Sequence, residues 1–280
     1  MSLLSLISAC RQPLNYTDAS GPMFIGNQYS ACDQEDETDS LIVVSYNIEK
    51  GEKIDKALSL IRNHPILNSS HIFLLQEMDE HGTKKMAEAL QMNYVYFPIN
   101  QDPKTGKSFG NSILSKDTIL MQQKLVLPHG QSHNNRMRGA SIALTYHNGL
   151  PIRLYSVHMA TVVMPTSKRL DQVDSLTSHI SQYVTWEDPC IIGGDFNSVT
   201  SAFRNKIVSK FDNINFTYAT KGLGATQKGP IRFLKPELDM IFSKNFQVIQ
   251  RGKVEDTTAS DHYPIWTCLK VSSQQDQNFF

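Results

Sequence analysis

The sequence predicts an α/β protein built on mixed β-sheets, and three observations carry that expectation. Short β-branched apolar runs alternate with stretches of helical periodicity, the pattern of strands and helices packed in layers. The apolar runs carry polar groups at one end: Asn47, Glu77, His158, and Asp195 with Asn197 close their runs, whereas Asp239 and the pair Asp261-His262 open theirs. If these groups share one mouth, the last two strands run opposite to the first four. That orientation argues against a Rossmann or TIM-barrel architecture, in which the core strands are parallel.

Composition sets the outer bounds. The chain has 280 residues, 40% of them hydrophobic and 19% charged, enough for a sizeable core. Lys+Arg and Asp+Glu are both 27, so no global basic signature of a nucleic-acid binder is present. No stretch approaches the ~18 consecutive apolar residues of a membrane span. None of the four cysteines forms a CxxC pair, which argues against a thiolate zinc cluster or a thioredoxin-like motif. Cys190 and Cys268 lie in apolar runs and read as small core residues. A monomer is expected.

The N-terminus needs its own reading. Ile7-Ser8-Ala9-Cys10 resembles a bacterial lipobox, which would make Cys10 a lipid-anchored, extracytoplasmic residue; otherwise a cytoplasmic location is expected. Against the lipobox, there is no basic n-region and the apolar stretch is short. Residues 1–40, with Pro13, Pro22 and the acidic run 33–39, sustain no period and read as a loose arm or tether. The main domain is expected over 41–272, with a tail at 273–280.

Taken in order, Leu41–Ile48 reads as a buried strand ending at Asn47. Residues 52–64 place Ile54, Ala57, Leu58 and Ile61 on one helical face, stopped by His64-Pro65. His71–Glu77 is a second buried strand, and 82–92 a short helix. Residues 98–111 and 128–139 read as loops, followed respectively by strands from Asn111 and from Ala140. Ile152–His158 is a strand. Residues 166–184 form the clearest helix, with Leu170, Val173, Leu176, Ile180 and Val184 at three- and four-residue spacing. Pro189–Asn197, Leu238–Phe242 and His262–Val271 complete the strands.

The polar groups at these strand ends are carboxylates, amides and two imidazoles without thiolates. Such a set suits a hard divalent cation, Mg²⁺ with Mn²⁺ or Ca²⁺ as alternatives, rather than zinc. Amides and imidazoles suit a phosphate, whose oxygens accept hydrogen bonds. A carboxylate beside a metal can position or deprotonate water. No Gly-x-Ser-x-Gly elbow or Walker loop is present. Taken singly, Asn47, Asp195 and Asn197 are also ordinary strand-end turn formers, and the other histidines (His64, His71, His81, His129, His133, His147, His179) read as surface or loop residues.

The ordered string Ser45-Tyr-Asn47, Leu74-Leu-Gln-Glu77, Gly110-Asn-Ser-Ile-Leu-Ser115, Tyr155-Ser-Val-His158, Gly193-Gly-Asp-Phe-Asn197, Leu238-Asp-Met-Ile-Phe242 and Ser260-Asp-His262 resembles the endonuclease/exonuclease/phosphatase superfamily, with its deoxyribonuclease-I-like fold. The resemblance implies a four-layer α/β sandwich, two mixed β-sheets packed face to face with helices on the outside. It implies that Glu77 is the main Mg²⁺ ligand, with Asn47 and Asp261 beside it. Asp195 would orient or activate the attacking water, and Asn197 would hold that water or the phosphate. His158 would donate to a phosphate oxygen, oriented by Asp239, and His262, paired with an acid, would bind the phosphate or act as base. The implied reaction is metal-dependent phosphoester hydrolysis.

The substrate remains open between a phosphodiester, with nucleic acid favoured, and a phosphomonoester or a lipid or inositol phosphate headgroup; a non-catalytic binding module is the reading from another class. Three loops are expected around the mouth, near 98–116, 128–139 and 213–236. Lys104, Lys107, Lys116, Arg136, Arg138, Lys221, Lys228, Arg232 and Lys235 lie there with few acids, which would steer a polyanion. Asn111 and Arg138 are the residues expected to grip phosphate.

Overall fold

The computed structural model describes residues 13–29, 40–103, 105–132, 134–229 and 236–272. One sheet comprises β1 (Leu14–Asn15), β2 (Phe24–Gly26), β3 (Ser40–Asn47), β4 (Ile72–Met78), β5 (Asn93–Gln101), β6 (Ser108–Ser115), β13 (Phe246–Lys253) and β14 (Ile265–Val271). The other comprises β7 (Ile119–Leu127), β8 (Arg138–His147), β9 (Leu150–His158), β10 (Cys190–Asp195), β11 (Thr217–Tyr218) and β12 (Asp239–Lys244). The order is β1-β5-β6-β4-β3-β14-β13, with β2 also on β5, in the first sheet and β11-β12-β10-β9-β8-β7 in the second.

Strand alternation builds the layers. In β3, Val44 and Tyr46 face outward into the core with α1 (Ile54–Asn63) and α3 (Glu80–Leu90), while Leu41 and Val43 face the opposite sheet. A strand buried on both faces must be apolar at successive positions, which is why this run is nearly continuous Val and Ile. The second sheet likewise packs outward on α4 (Thr166–Tyr183) and α5 (Ser201–Asp212). The result is the four-layer sandwich. Gly193 lets the sheets meet: a Cβ there would lie 2.7 Å from Leu74 Cδ1 of the facing sheet.

The strand directions agree with the mouth argument. β3 and β4 are parallel, as are β9 and β10, whereas β12 is antiparallel to β10 and β14 to β3. Helix α1 buries Ile54, Ala57, Leu58 and Ile61, and gives way at His64 to a short turn of helix, α2 (Pro65–Asn68). Asp79 caps α3 by accepting from the Gly82 amide at 2.6 Å.

Several expectations are corrected. Residues 13–29 are not a loose arm: β1 and β2 pair with β5, and the buried Lys124 ammonium donates to the carbonyls of Tyr16 (2.9 Å) and Gly21 (2.6 Å). Most of the 98–111 loop is a hairpin between β5 and β6, because strand pairing satisfies backbone groups that a loop would leave to water. Strands β7 and β13 and helix α5 add to the elements expected from sequence. His71 and His147 are buried, with ring centroids 5.0 Å apart, rather than at the surface. Cys190 is a buried free thiol and Cys268 a partly buried one. The lipobox Cys10, the acidic run and the 273–280 tail lie outside the described residues. Among the described residues no helix is long and apolar enough to cross a membrane.

Candidate active site

Cross-strand register assembles the site. In the second sheet, Asp195 at the end of β10 lies directly opposite His158 on β9 and Asp239 on β12, and His158 lies opposite Gly139 on β8. Residues in one register row project to the same face. That face looks across the sandwich to the parallel ends of β3 and β4, where Asn47 pairs with Gln76 and Glu77 follows. The site is where the two terminal rows meet.

Asp195 is the hub. Its Oδ1 accepts from the Asn197 amide at 2.8 Å. Its Oδ2 accepts from Asn47 Nδ2 at 3.1 Å and lies 3.4 Å from His158 Nε2 and 3.9 Å from His262 Nε2. Between Asp195 and Asn197 the fully buried Phe196 packs edge-on against Phe211 and Phe242, which anchors the turn. Asn197 itself has φ 50°, and its Nδ2 donates to the Met159 carbonyl at 2.9 Å.

Glu77 stands in the left-handed region with φ 59°, where the β4–β6 register is irregular between Leu75 and Met78. A bulge of this kind re-aims a side chain, at a backbone cost of about 1–2 kcal/mol for a non-glycine residue. The carboxylate is only partly exposed and accepts from Asn47 Nδ2 at 3.4 Å and from the Lys50 amide at 3.1 Å.

The imidazoles are not equivalent. His262 Nδ1 lies 2.8 Å from Asp239 Oδ2. Burial opposes its protonation, but the charge and hydrogen bond of Asp239, with Asp195 and Asp261 adding to them, raise His262 to about 10. His158 is held well below 6.5 by burial, by Arg138 and by His262. Burial pushes Asp195 up to about 7, opposed by His262. The site therefore holds a protonated and a neutral imidazole on either side of one buried carboxyl.

The pairing of His158 with Asp239 expected from sequence is corrected: Asp239 serves His262, and His158 turns its Nδ1 to Arg138 Nη1 at 3.3 Å. Arg138 is buried rather than lining the open mouth, and Asn111 donates to the Gly139 carbonyl at 2.7 Å. Asp261 Oδ2 accepts from Gln227 Nε2 at 2.9 Å. Ser260 ties the two ends of the site, its Oγ donating to the Asn47 carbonyl at 2.7 Å and accepting from the His262 amide at 3.0 Å.

Sequence reasoning missed Arg169. It is buried on α4, stacks on the Phe203 ring at 3.8 Å and donates to the Asn197 carbonyl. The available signal was a cation on the apolar side of an otherwise regular amphipathic helix. The loop cations also disappoint as a polyanion surface. Arg136 pairs with Asp102 at 2.5 Å, Lys228 donates to the Thr257 and Ser260 carbonyls, and Lys116 donates to the Ser69 carbonyl at the far end of β6. Tyr218 stacks on Phe242 in the core. Lys104, Arg232 and Lys235 lie outside the described residues.

The donor set fits a hard divalent cation. Asp239 Oδ1 is buried without a hydrogen-bond partner, and Asp195 and Asp239 offer carboxylate oxygens within 4.8 Å of each other, with His262 Nδ1 turned to Asp239. Glu77 adds a partly exposed carboxylate at the same mouth. Carboxylate and amide oxygens outnumber imidazole nitrogens, the preference of Mg²⁺, Mn²⁺ or Ca²⁺.

Comparison with known proteins finds the same fold elsewhere. The model of the Endonuclease/Exonuclease/phosphatase family matches residues 44–262. Among solved structures, an endonuclease/exonuclease/phosphatase from Beutenbergia cavernae is similar at a TM-score of 0.69 and 16% identity, covering 84% of this chain and 72% of that one. A mannosyl-6-phosphatase from Bacteroides thetaiotaomicron is similar at 0.62 and 20% identity, covering 82% and 99%. Sphingomyelinase C from Streptomyces griseocarneus is similar at 0.60 and 14% identity, again covering 82% and 99%. No curated protein sequence matches the chain.

Proposed function

The chain belongs to the Endonuclease/Exonuclease/phosphatase family, and from that premise we propose that it is a divalent-metal-dependent hydrolase of compact phosphoesters. The observation that carries the reading is the hub at Asp195, a buried carboxyl set between two buried imidazoles beside Asn47 and Glu77.

Glu77 would hold the cation, with Asp239 Oδ1 as a further oxygen; Asn47, expected beside it from sequence, turns its Nδ2 to Glu77 and Asp195, and Asp261 is engaged by Gln227. A bound divalent cation supplies charge neutralisation on the phosphoryl oxygens and lowers the pKa of bound water. The rest falls to the chain. Asp195 receives the proton of the attacking water, because burial makes its ionised form a stronger base than an exposed aspartate. Asn197 holds that water or the phosphate at the end of the turn anchored by Phe196. His262, kept cationic by Asp239, opposes the charge that develops on the phosphoryl group during in-line attack. His158 donates a hydrogen bond from the other side.

A compact substrate is favoured because the loop cations expected to bind a polyanion are largely engaged within the chain. A cleft of about 280 Å³, lined by Lys50, Asp102, Lys107, Phe109 and Arg136, opens beside the site. It adjoins the site through the Lys50 amide on Glu77 and through the Phe109 ring, 5.7 Å from the His158 ring. A small group esterified to the phosphate has room there. Nucleic acid is the second reading, favoured by the exposed Lys50 and Lys107 at the rim.

The test is turnover of sugar and inositol phosphates, nitrophenyl mono- and diesters, sphingomyelin, single-stranded oligonucleotide and supercoiled plasmid. It is run after chelation and readdition of Mg²⁺, Mn²⁺ or Ca²⁺, with Glu77→Gln as control. Metal-restored turnover of small esters, lost in the variant, supports the reading. Preferential plasmid or oligonucleotide cleavage that weakens steeply with salt replaces it with the nuclease. Inertness toward every ester with every metal overturns the enzyme.

A further inference from the structure

Arg138 is an unusual residue to find beside an imidazole with so little room. It opens β8, one register position from Gly139, the residue opposite His158. Its side chain is 7% exposed. The guanidinium is pinned on three sides. Its carbon lies 5.1 Å from the Phe109 ring centroid. In the amide orientation that satisfies both groups, Gln131 Oε1 accepts from Nε at 3.0 Å and from Nη2 at 2.8 Å. Nη1 lies 3.3 Å from His158 Nδ1.

A guanidinium has donors and no acceptor and stays charged in proteins. The only role it leaves for His158 Nδ1 is that of a lone-pair acceptor. The ring proton must then sit on Nε2, which lies 3.4 Å from Asp195 Oδ2 and 4.0 Å from Glu77 Oε1. We propose that Arg138 is a positioning residue that holds His158 Nδ1 as an acceptor, so that the ring presents one fixed Nε2–H donor to the site. Its buried place behind the ring assigns it this task in preference to gripping substrate phosphate. That the donor meets a phosphoryl oxygen rests on the hydrolase reading; the tautomer does not.

The lock answers an electrostatic problem. His158 faces the carboxyls of Asp195 and Glu77, which would favour a doubly protonated ring. A cation donating to Nδ1 closes the second protonation site, so the donor on Nε2 comes without a second mobile proton.

The experiment is long-range ¹H–¹⁵N correlation spectroscopy of the metal-free, ¹⁵N-labelled protein at neutral pH, with His158 assigned by its disappearance in His158→Gln. The expected result is one unprotonated nitrogen, Nδ1, and one protonated nitrogen, Nε2. An Nδ1–H tautomer or a doubly protonated ring in the wild type overturns the proposal, whatever the variants do. In Arg138→Met the Nδ1 resonance should move as its donor is lost; an unmoved resonance in a folded variant also overturns it. Once a substrate is identified, Arg138→Met should lower kcat about 100-fold with KM little changed, a loss in the range of one misplaced hydrogen-bond donor to the transition state. Arg138→Lys, whose ammonium can still donate to Nδ1, should recover most of that loss. A KM effect without a kcat effect would return Arg138 to substrate binding.

Discussion

His262 Nδ1 and Asp239 Oδ2 meet at 2.8 Å across the sandwich, one residue just before β14 of the first sheet and the other at the start of β12 of the second. Both are buried, so the pair is a charge couple in a low-dielectric setting, where each partner depends on the other. Asp239→Asn should remove the charge that holds the imidazolium. Burial then dominates, and His262 should be neutral at pH 7, with activity lower by about 10²-fold or more. Imidazole NMR titration and steady-state rates check this. His262 binds its proton more tightly folded than unfolded, so the couple stabilises fully below the ordinary 6.5 and loses that contribution as pH rises through about 10. Denaturation from pH 6 to 10 should show the decline in wild type and a flatter profile in the variant.

Glu77 combines a strained backbone with an accessible carboxylate. Glu77→Gln should cut turnover by about 10³-fold while leaving the fold intact, since the amide preserves shape but lacks the charge a cation or phosphoryl group requires. Because φ is 59°, Glu77→Gly should be more stable than Glu77→Ala by about 1 kcal/mol, the steric cost of a Cβ in the left-handed region. Equal stabilities in chemical denaturation would count against stored strain at this position.

Arg169 ties α4 to the Asn197 turn. Arg169→Met keeps the apolar contact with Phe203 but loses the donor to the Asn197 carbonyl. Turnover should fall about tenfold, and the melting temperature should drop, as a buried carbonyl is left unpaired at about 1–3 kcal/mol. Kinetics and thermal melts on the same preparation read both.

Lys124 straps residues 16–21 to β7 through two carbonyls. Lys124→Met should cost about 2 kcal/mol and speed hydrogen exchange over residues 13–29. Asn15, next to the strapped Tyr16, accepts from the Met137 amide beside Arg138, so kcat should fall modestly as that loop loosens.

Legibility followed the range of each signal. α1 and α4 were plain because their apolar spacing is local and repeats over several turns. α5 carried a similar signal in Phe203, Ile207 and Phe211, four residues apart and capped by Thr200, but polar neighbours diluted it. β13 alternates buried and exposed positions only weakly, and β2 pairs over three residues. Such peripheral strands exist because a neighbour completes their hydrogen bonds, and a neighbour is invisible to local periodicity.

The alternation of strands and helices, the reversed direction of the last two strands that carry polar groups, and the set of polar groups at the strand ends are all legible in the residue order. Those follow from periods of 2 and 3.6 and from where polar residues interrupt apolar runs. That Asp239 belongs to His262, that Arg138 backs His158, that Arg169 reaches Asn197 and that the loop cations are largely engaged emerges from the packed sheets alone. Each of those depends on cross-strand register and on which side chains meet across two sheets. The apolar pattern sets which face a residue occupies, but many registers and pairings satisfy that pattern, and packing selects among them.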